Sequence, residues 1–268
     1  MHPRVSVSAI STYSWSLAED LAFWSDAGIT NVGVSVAKLE QAGWDDAVEQ
    51  VAAADLRVAN LIGLGPFALA DRERWPAQQA RLARVAEAAS GLRAECLVLT
   101  TGPAGPLTWE DAADRLAEAI APALVSSRDR GVPFALEHTN SLRVDVGFVH
   151  SLRDMIDLAR GLGCGVCMEV NACWAERGLG ATIADGIDVI RLVQISDFAI
   201  GTLDTPNRLV PGDGDIPLER IIGQVLDAGY AGTFDLELIG PRINEEGPRV
   251  AVPRAVDNIT ALLEHLGG

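Results

Sequence analysis

Four side chains carry the oxygen atoms that metal binding or proton transfer needs, and each closes a short apolar run. Glu137 follows Phe134-Ala135-Leu136, Glu169 follows Val166-Cys167-Met168, Gln194 follows Arg191-Leu192-Val193, and Glu237 follows Phe234-Asp235-Leu236. Taken singly, each reads as a polar cap at a strand end. Four in successive runs point instead to one shared site. Carboxylates that converge in a low-dielectric space repel one another and need a cation, protons or water between them. A hard divalent cation is the economical answer, because such ions take oxygen ligands.

Other residues fall near the same ends. Asp197 lies three positions past Gln194 and reads either as a substrate contact or partner of the site, or as a loop cap. Arg208, in a loop rich in Pro and Gly, is placed to bind a substrate hydroxyl, carboxylate or phosphate. Lys38, the only lysine, closes the second apolar run, either at a substrate or as a solvated rim residue. Trp15 and Trp174 offer apolar walls for a ring-shaped substrate, or packing under a loop. His138 follows Glu137 directly and should point to the opposite side of its strand, away from any ligand set. Asp235 shares parity with Glu237 and should face inward one layer lower.

The elements that must position these groups alternate along the chain. Continuously apolar runs rich in Val, Ile and Leu occur near 5–11, 31–36, 57–64, 95–100, 133–137, 165–169, 191–194 and 233–238. Unbroken apolarity suits parallel strands covered on both faces. Helical patterns fill the gaps. Ser16 with Glu19, and Thr108 with Asp111, are predicted helix starts. Pro217 is predicted to begin another helix that Gly229 ends, and the last runs from about 250. Eight strand–helix units fit either a closed barrel or an open doubly wound sheet. Ser11-Thr12-Tyr13-Ser14-Trp15 stands where a Gly-rich dinucleotide loop would be, so the expected fold is a single (β/α)8 TIM barrel over residues 1–268.

Composition narrows the partners. A net charge of −16 disfavours nucleic acid and anionic membranes. Neither a long apolar span nor a signal-peptide pattern is present, which predicts a cytoplasmic protein. A sole lysine makes Schiff-base chemistry an improbable design. Cys164 and Cys167 form a lone C-x-x-C without a second pair, so Cys96, Cys164, Cys167 and Cys173 are expected as free thiols. The oligomeric state, a homo-oligomer included, is left open.

The chain resembles the xylose-isomerase-like barrel superfamily of sugar-phosphate isomerases and epimerases. The resemblance rests on Leu136-Glu137, Cys167-Met168-Glu169, Val193-Gln194-Ile195-Ser196-Asp197, Arg208 with Pro211-Gly212-Asp213-Gly214, and Asp235-Leu236-Glu237. It implies one divalent metal held by Glu137, Glu169, Gln194 and Glu237. Three positions depart from the family pattern: Glu169 replaces an Asp, Gln194 replaces a His, and Ala172 replaces a substrate-contacting His. An amide oxygen from Gln194 would complete an all-oxygen set that suits Mn²⁺ or Mg²⁺ better than Zn²⁺.

What the resemblance implies is isomerisation or epimerisation of a sugar, keto-sugar or keto-polyol, with Glu137 and Glu237 as the acid/base pair around an enediolate. A lyase or dehydratase, including one that cleaves an oxidised glycoside, would start from the same proton loss. A metal-free sugar-binding or regulatory barrel is the third reading.

Overall fold

The chain is described by a computed structural model covering residues 1–268. Eight strands, Val5–Ser8 (β1), Asn31–Ser35 (β2), Arg57–Ile62 (β3), Cys96–Thr100 (β4), Phe134–Glu137 (β5), Gly165–Glu169 (β6), Ile190–Ile195 (β7) and Thr233–Leu236 (β8), close into one barrel. Every neighbouring pair is parallel, and β1 joins β8 through Val5↔Phe234, Ser6↔Asp235 and Val7↔Leu236.

Strand parity separates two environments. Val5, Val7, Val32, Val34, Leu97, Leu99, Leu136, Val166, Met168, Val193 and Phe234 belong to the main apolar core with the surrounding helices. Ile62, Cys96, Val98, Ala135, Cys167 and Leu192 form a smaller cluster that fills the barrel itself. The same parity turns Ser6, Asn60, Gln194 and Asp235 inward, each with no exposed surface.

The helices start where the sequence predicts. Ser16 accepts from the Glu19 backbone, and Glu19 closes the reciprocal bond, over Leu17–Asp26. Thr108 caps Trp109–Asp129, Pro217 precedes Leu218–Asp227, and Pro248–Leu266 completes the outer ring. Three strands run straight into short helical turns: Ala9–Thr12 after β1, Val36–Gln41 after β2 and Val170–Cys173 after β6. The runs predicted to reach 11 and 36 are therefore shorter strands, because Ala9, Ile10 and Val36 carry the apolar pattern past the point where the backbone turns helical.

One close approach inside the barrel requires glycine. A Cβ on Gly33 would lie 2.8 Å from Oδ1 and 2.9 Å from Nδ2 of Asn60, which is fully buried. Gly33→Ala should therefore destabilise the protein by about 1–3 kcal/mol. Adding Asn60→Ala should return most of that loss in denaturant unfolding. Strict additivity of the two substitutions would show that the contact is not the cause.

Candidate metal and proton-transfer site

The C-terminal ends of the strands bring three of the predicted groups together. Oxygen atoms of Glu137, Glu169 and Glu237 all lie within 4.8 Å of one another, and all three residues are buried. They open into a cavity of about 270 Å³ that Tyr13, Thr100, Asn140, Arg143, Asn171 and Arg208 also line. Ala172 is on the same wall.

Arg208 is part of this cluster, which sequence reasoning did not anticipate. One guanidinium nitrogen lies 2.8 Å from Glu169 Oε2, and the other donates to the Glu237 backbone oxygen at 3.0 Å, 3.4 Å from Glu237 Oε1. The Glu169 contact is an ion pair without a well-directed N–H, so that buried oxygen still lacks a hydrogen-bond donor. Burial works against the Arg208 charge, but Glu169, Glu237 and Glu137 outweigh it and raise its pKa.

Each acid is set by its own surroundings. Burial pushes the Glu137 carboxyl well above the usual range, with Glu237 and Glu169 adding to the rise. Burial also lifts Glu169 to about 7, opposed by Arg208 and reinforced by Glu237. Glu169 Oε1 accepts the Asn171 backbone N–H at 2.9 Å, while its own N–H donates to Nε2 of His138 at 3.2 Å. Burial lowers His138 to about 3, so the ring is a neutral acceptor that steadies the acid's backbone. His138 sits outside the acid cluster, as parity predicts.

Gln194 is level with Glu169 across β6–β7 and fully buried. Its amide nitrogen donates to Glu237 Oε2, and its oxygen accepts from the Cys167 thiol at 3.2 Å. Level with Gln194 across β7–β8, Asp235 accepts from Ser6 at 2.5 Å and has no exposed surface. Burial raises it to about 7, with the Ser6 hydrogen bond pulling the other way.

The remaining predicted contacts are not on the cavity wall. Asp197 is 1% exposed and satisfies four backbone N–H groups: Oδ1 accepts from Phe198 and Ile216, Oδ2 from Gly212 and Gly214. It also pairs with Leu209 in both backbone directions, which anchors the residue beside Arg208. Its carboxylate therefore holds the loop. Lys38 is on the Val36–Gln41 helix, only 4% exposed. Its ammonium contacts Asp20 at 2.6 Å and the Thr12 carbonyl and hydroxyl at 2.8 and 3.1 Å, which uses its three donors. Trp15 packs edge-on against Phe23 at 5.4 Å with Arg249 over its ring, and Trp174 packs on the core. All four cysteines are free. Tyr13, Asn140 and Asn171 were missed; Asn171 Nδ2 is buried without a partner. Only their place just past the strand ends could have marked them, and many polar residues share it.

The acids fit a divalent ion. They offer hard oxygen donors at mutual distances one ion can span, and a buried oxygen of Glu169 lacks a directed donor.

A family model described as the xylose isomerase-like TIM barrel matches residues 21–262, and the chain belongs to that family. Inosose isomerase from Halalkalibacterium halodurans is 23% identical over 134 residues, 47% of this chain and 46% of that protein. Fructoselysine 3-epimerase from Escherichia coli O157:H7 is 34% identical over 76 residues, 28% of this chain and 26% of that protein. The matched stretches thus span less than half the length of these curated relatives. The crystal structure of the IolI protein with a bound zinc atom superposes at a TM-score of 0.81 and 15% identity, covering 98% of this chain and 99% of that one. No helix is long and apolar enough to cross a membrane.

Two substitutions separate site from scaffold. Arg208→Met removes the cation that competes for Glu169 and Glu237, so Mn²⁺ should bind chelator-stripped protein more tightly. The metal-free form should lose about 3 kcal/mol of stability. Calorimetric titration and thermal unfolding read both, and unchanged or weaker Mn²⁺ binding would refute the competition. Lys38→Met strands Asp20 and should cost about 3–5 kcal/mol, with Mn²⁺ affinity in the folded protein unaltered.

Proposed function

We propose that this chain is a divalent-metal-dependent isomerase or epimerase of a small polyhydroxylated carbonyl compound, a sugar, keto-sugar or keto-polyol. The observation that carries the reading is the convergence of Glu137, Glu169 and Glu237 on a cavity of about 270 Å³, a space on the scale of one sugar. The isomerase and epimerase among its relatives point the same way. The oxygen donors suit Mn²⁺ or Mg²⁺. When bound, such an ion supplies a Lewis acid that polarises a carbonyl and makes the neighbouring proton easier to remove.

The protein's own part is proton transfer and orientation. Glu137, one of the three converging acids, is placed to return the proton. Glu237 accepts the Gln194 amide N–H on its carboxylate, has the Arg208 guanidinium 3.4 Å away, and is placed to accept a proton. Two carboxyls held in different surroundings within one site can divide acid from base. A proton removed by one and returned by the other on the opposite side inverts the carbon, which is epimerisation. Glu169 holds the site together through its ion pair with Arg208. Asn171, with an unpartnered buried amide nitrogen, and Arg208 are the donors on the wall for substrate oxygens.

A panel of keto-sugars and inososes in deuterated water, followed by NMR, tests this reading. Exchange of the proton beside the carbonyl should require Mn²⁺ or Mg²⁺. Glu237→Gln should slow it by about 10²-fold or more. Exchange without metal, or at full rate in Glu237→Gln, would remove the mechanism. Elimination begins with the same step, so an unsaturated product in place of an epimer would assign a lyase.

A further inference from the structure

We propose that Gln194 is a positioning residue and not a metal ligand: its amide nitrogen holds Glu237, and Glu137, Glu169 and Glu237 alone hold the ion. The proposal rests on the metal-site reading above and changes its ligand set.

The argument starts from what surrounds one side chain. Gln194 is fully buried inside the barrel, level with Glu169 across β6–β7 and with Asp235 across β7–β8. Its nitrogen donates to Glu237 Oε2, and its oxygen accepts from Cys167. Ligation through the amide oxygen would require the end of the side chain to turn over. The oxygen would then face the Glu237 carboxylate, acceptor against acceptor. The nitrogen would face the Cys167 thiol and lose its bond to Glu237. Asp235, across the register, is a second acid that favours a nitrogen there, and its buried Oδ2 has no hydrogen-bond partner. Every neighbour that can choose between the two ends of the amide chooses the observed orientation.

The chemistry follows from that orientation. A primary amide has two N–H groups on one nitrogen and so can face two acids at once while staying neutral. It fixes the direction of the Glu237 carboxylate without adding charge to a site that already holds three acids. Support of this kind sets the affinity of a ligand it does not replace.

Side-chain amide NMR of protein carrying ¹⁵N-glutamine tests the proposal, with Gln194→Met identifying the Gln194 resonances. In metal-free protein, the Gln194 amide protons should be shifted downfield and protected from solvent exchange. Saturation with Mg²⁺ should leave that pattern in place. Gln194→Glu keeps the shape but removes the donor and sets like charge against Glu237, so calorimetry should show Mg²⁺ binding weakened by about tenfold or more. Tighter Mg²⁺ binding by Gln194→Glu, loss of the downfield pattern on Mg²⁺ addition, or unprotected amide protons in metal-free protein would each overturn the assignment. Failure of the unaltered protein to take up Mg²⁺ would count against the metal reading and overturn the three-carboxylate set with it. The metal-free spectrum would then decide the contact with Glu237 separately.

Discussion

Three carboxylates whose oxygens lie within 4.8 Å of one another cannot all stay ionised in a buried space without positive charge or protons to compensate. The structure meets this constraint with Arg208, which spans Glu169 and Glu237, and with a carboxyl at Glu137 held toward its protonated form. Much of the surrounding architecture keeps that arrangement in place. Asp197 binds four backbone N–H groups of the loop that carries Arg208, and neutral His138 accepts the backbone N–H of Glu169. A Cβ on Gly214 would come within 2.3 Å of Asp197 Oδ1, so the Pro-Gly-Asp-Gly stretch is what lets the loop close around that carboxylate.

The barrel and its acids were legible because both depend on periodicity. Parallel strands covered by helices leave continuous apolar runs, and a catalytic face at one end of the barrel makes the last residue of each run informative. Glu137, Glu169 and Glu237 are found this way, and so is the inward face of Asp235. Where the runs stop is less legible. Val36 and Val170 continue the apolar pattern while the backbone has already turned helical.

Partners were much harder to read than positions. Lys38 and Asp20 meet across two helices, 18 residues apart, and nothing in either segment marks the pairing. Asp197 was placed correctly just past β7, but its role depends on Gly212, Gly214 and Ile216 folding back over it. Arg208 was read as a substrate group, and sequence spacing cannot show that its guanidinium also reaches back to the strand ends. Gln194 illustrates the same limit at the scale of one side chain. Its position predicts proximity to an ion, whereas the direction of its amide is fixed by Glu237 and Cys167 on other strands.

The burial of Lys38 has a consequence for the outside of the molecule. With the only lysine locked against Asp20 and Thr12, the surface carries no reachable side-chain amine; its other basic groups are guanidinium or imidazole. Aldehydes and ketones condense reversibly with primary amines, and the adducts of open-chain sugars then rearrange slowly to stable products. Glycation at lysine would therefore find no accessible side chain on this barrel.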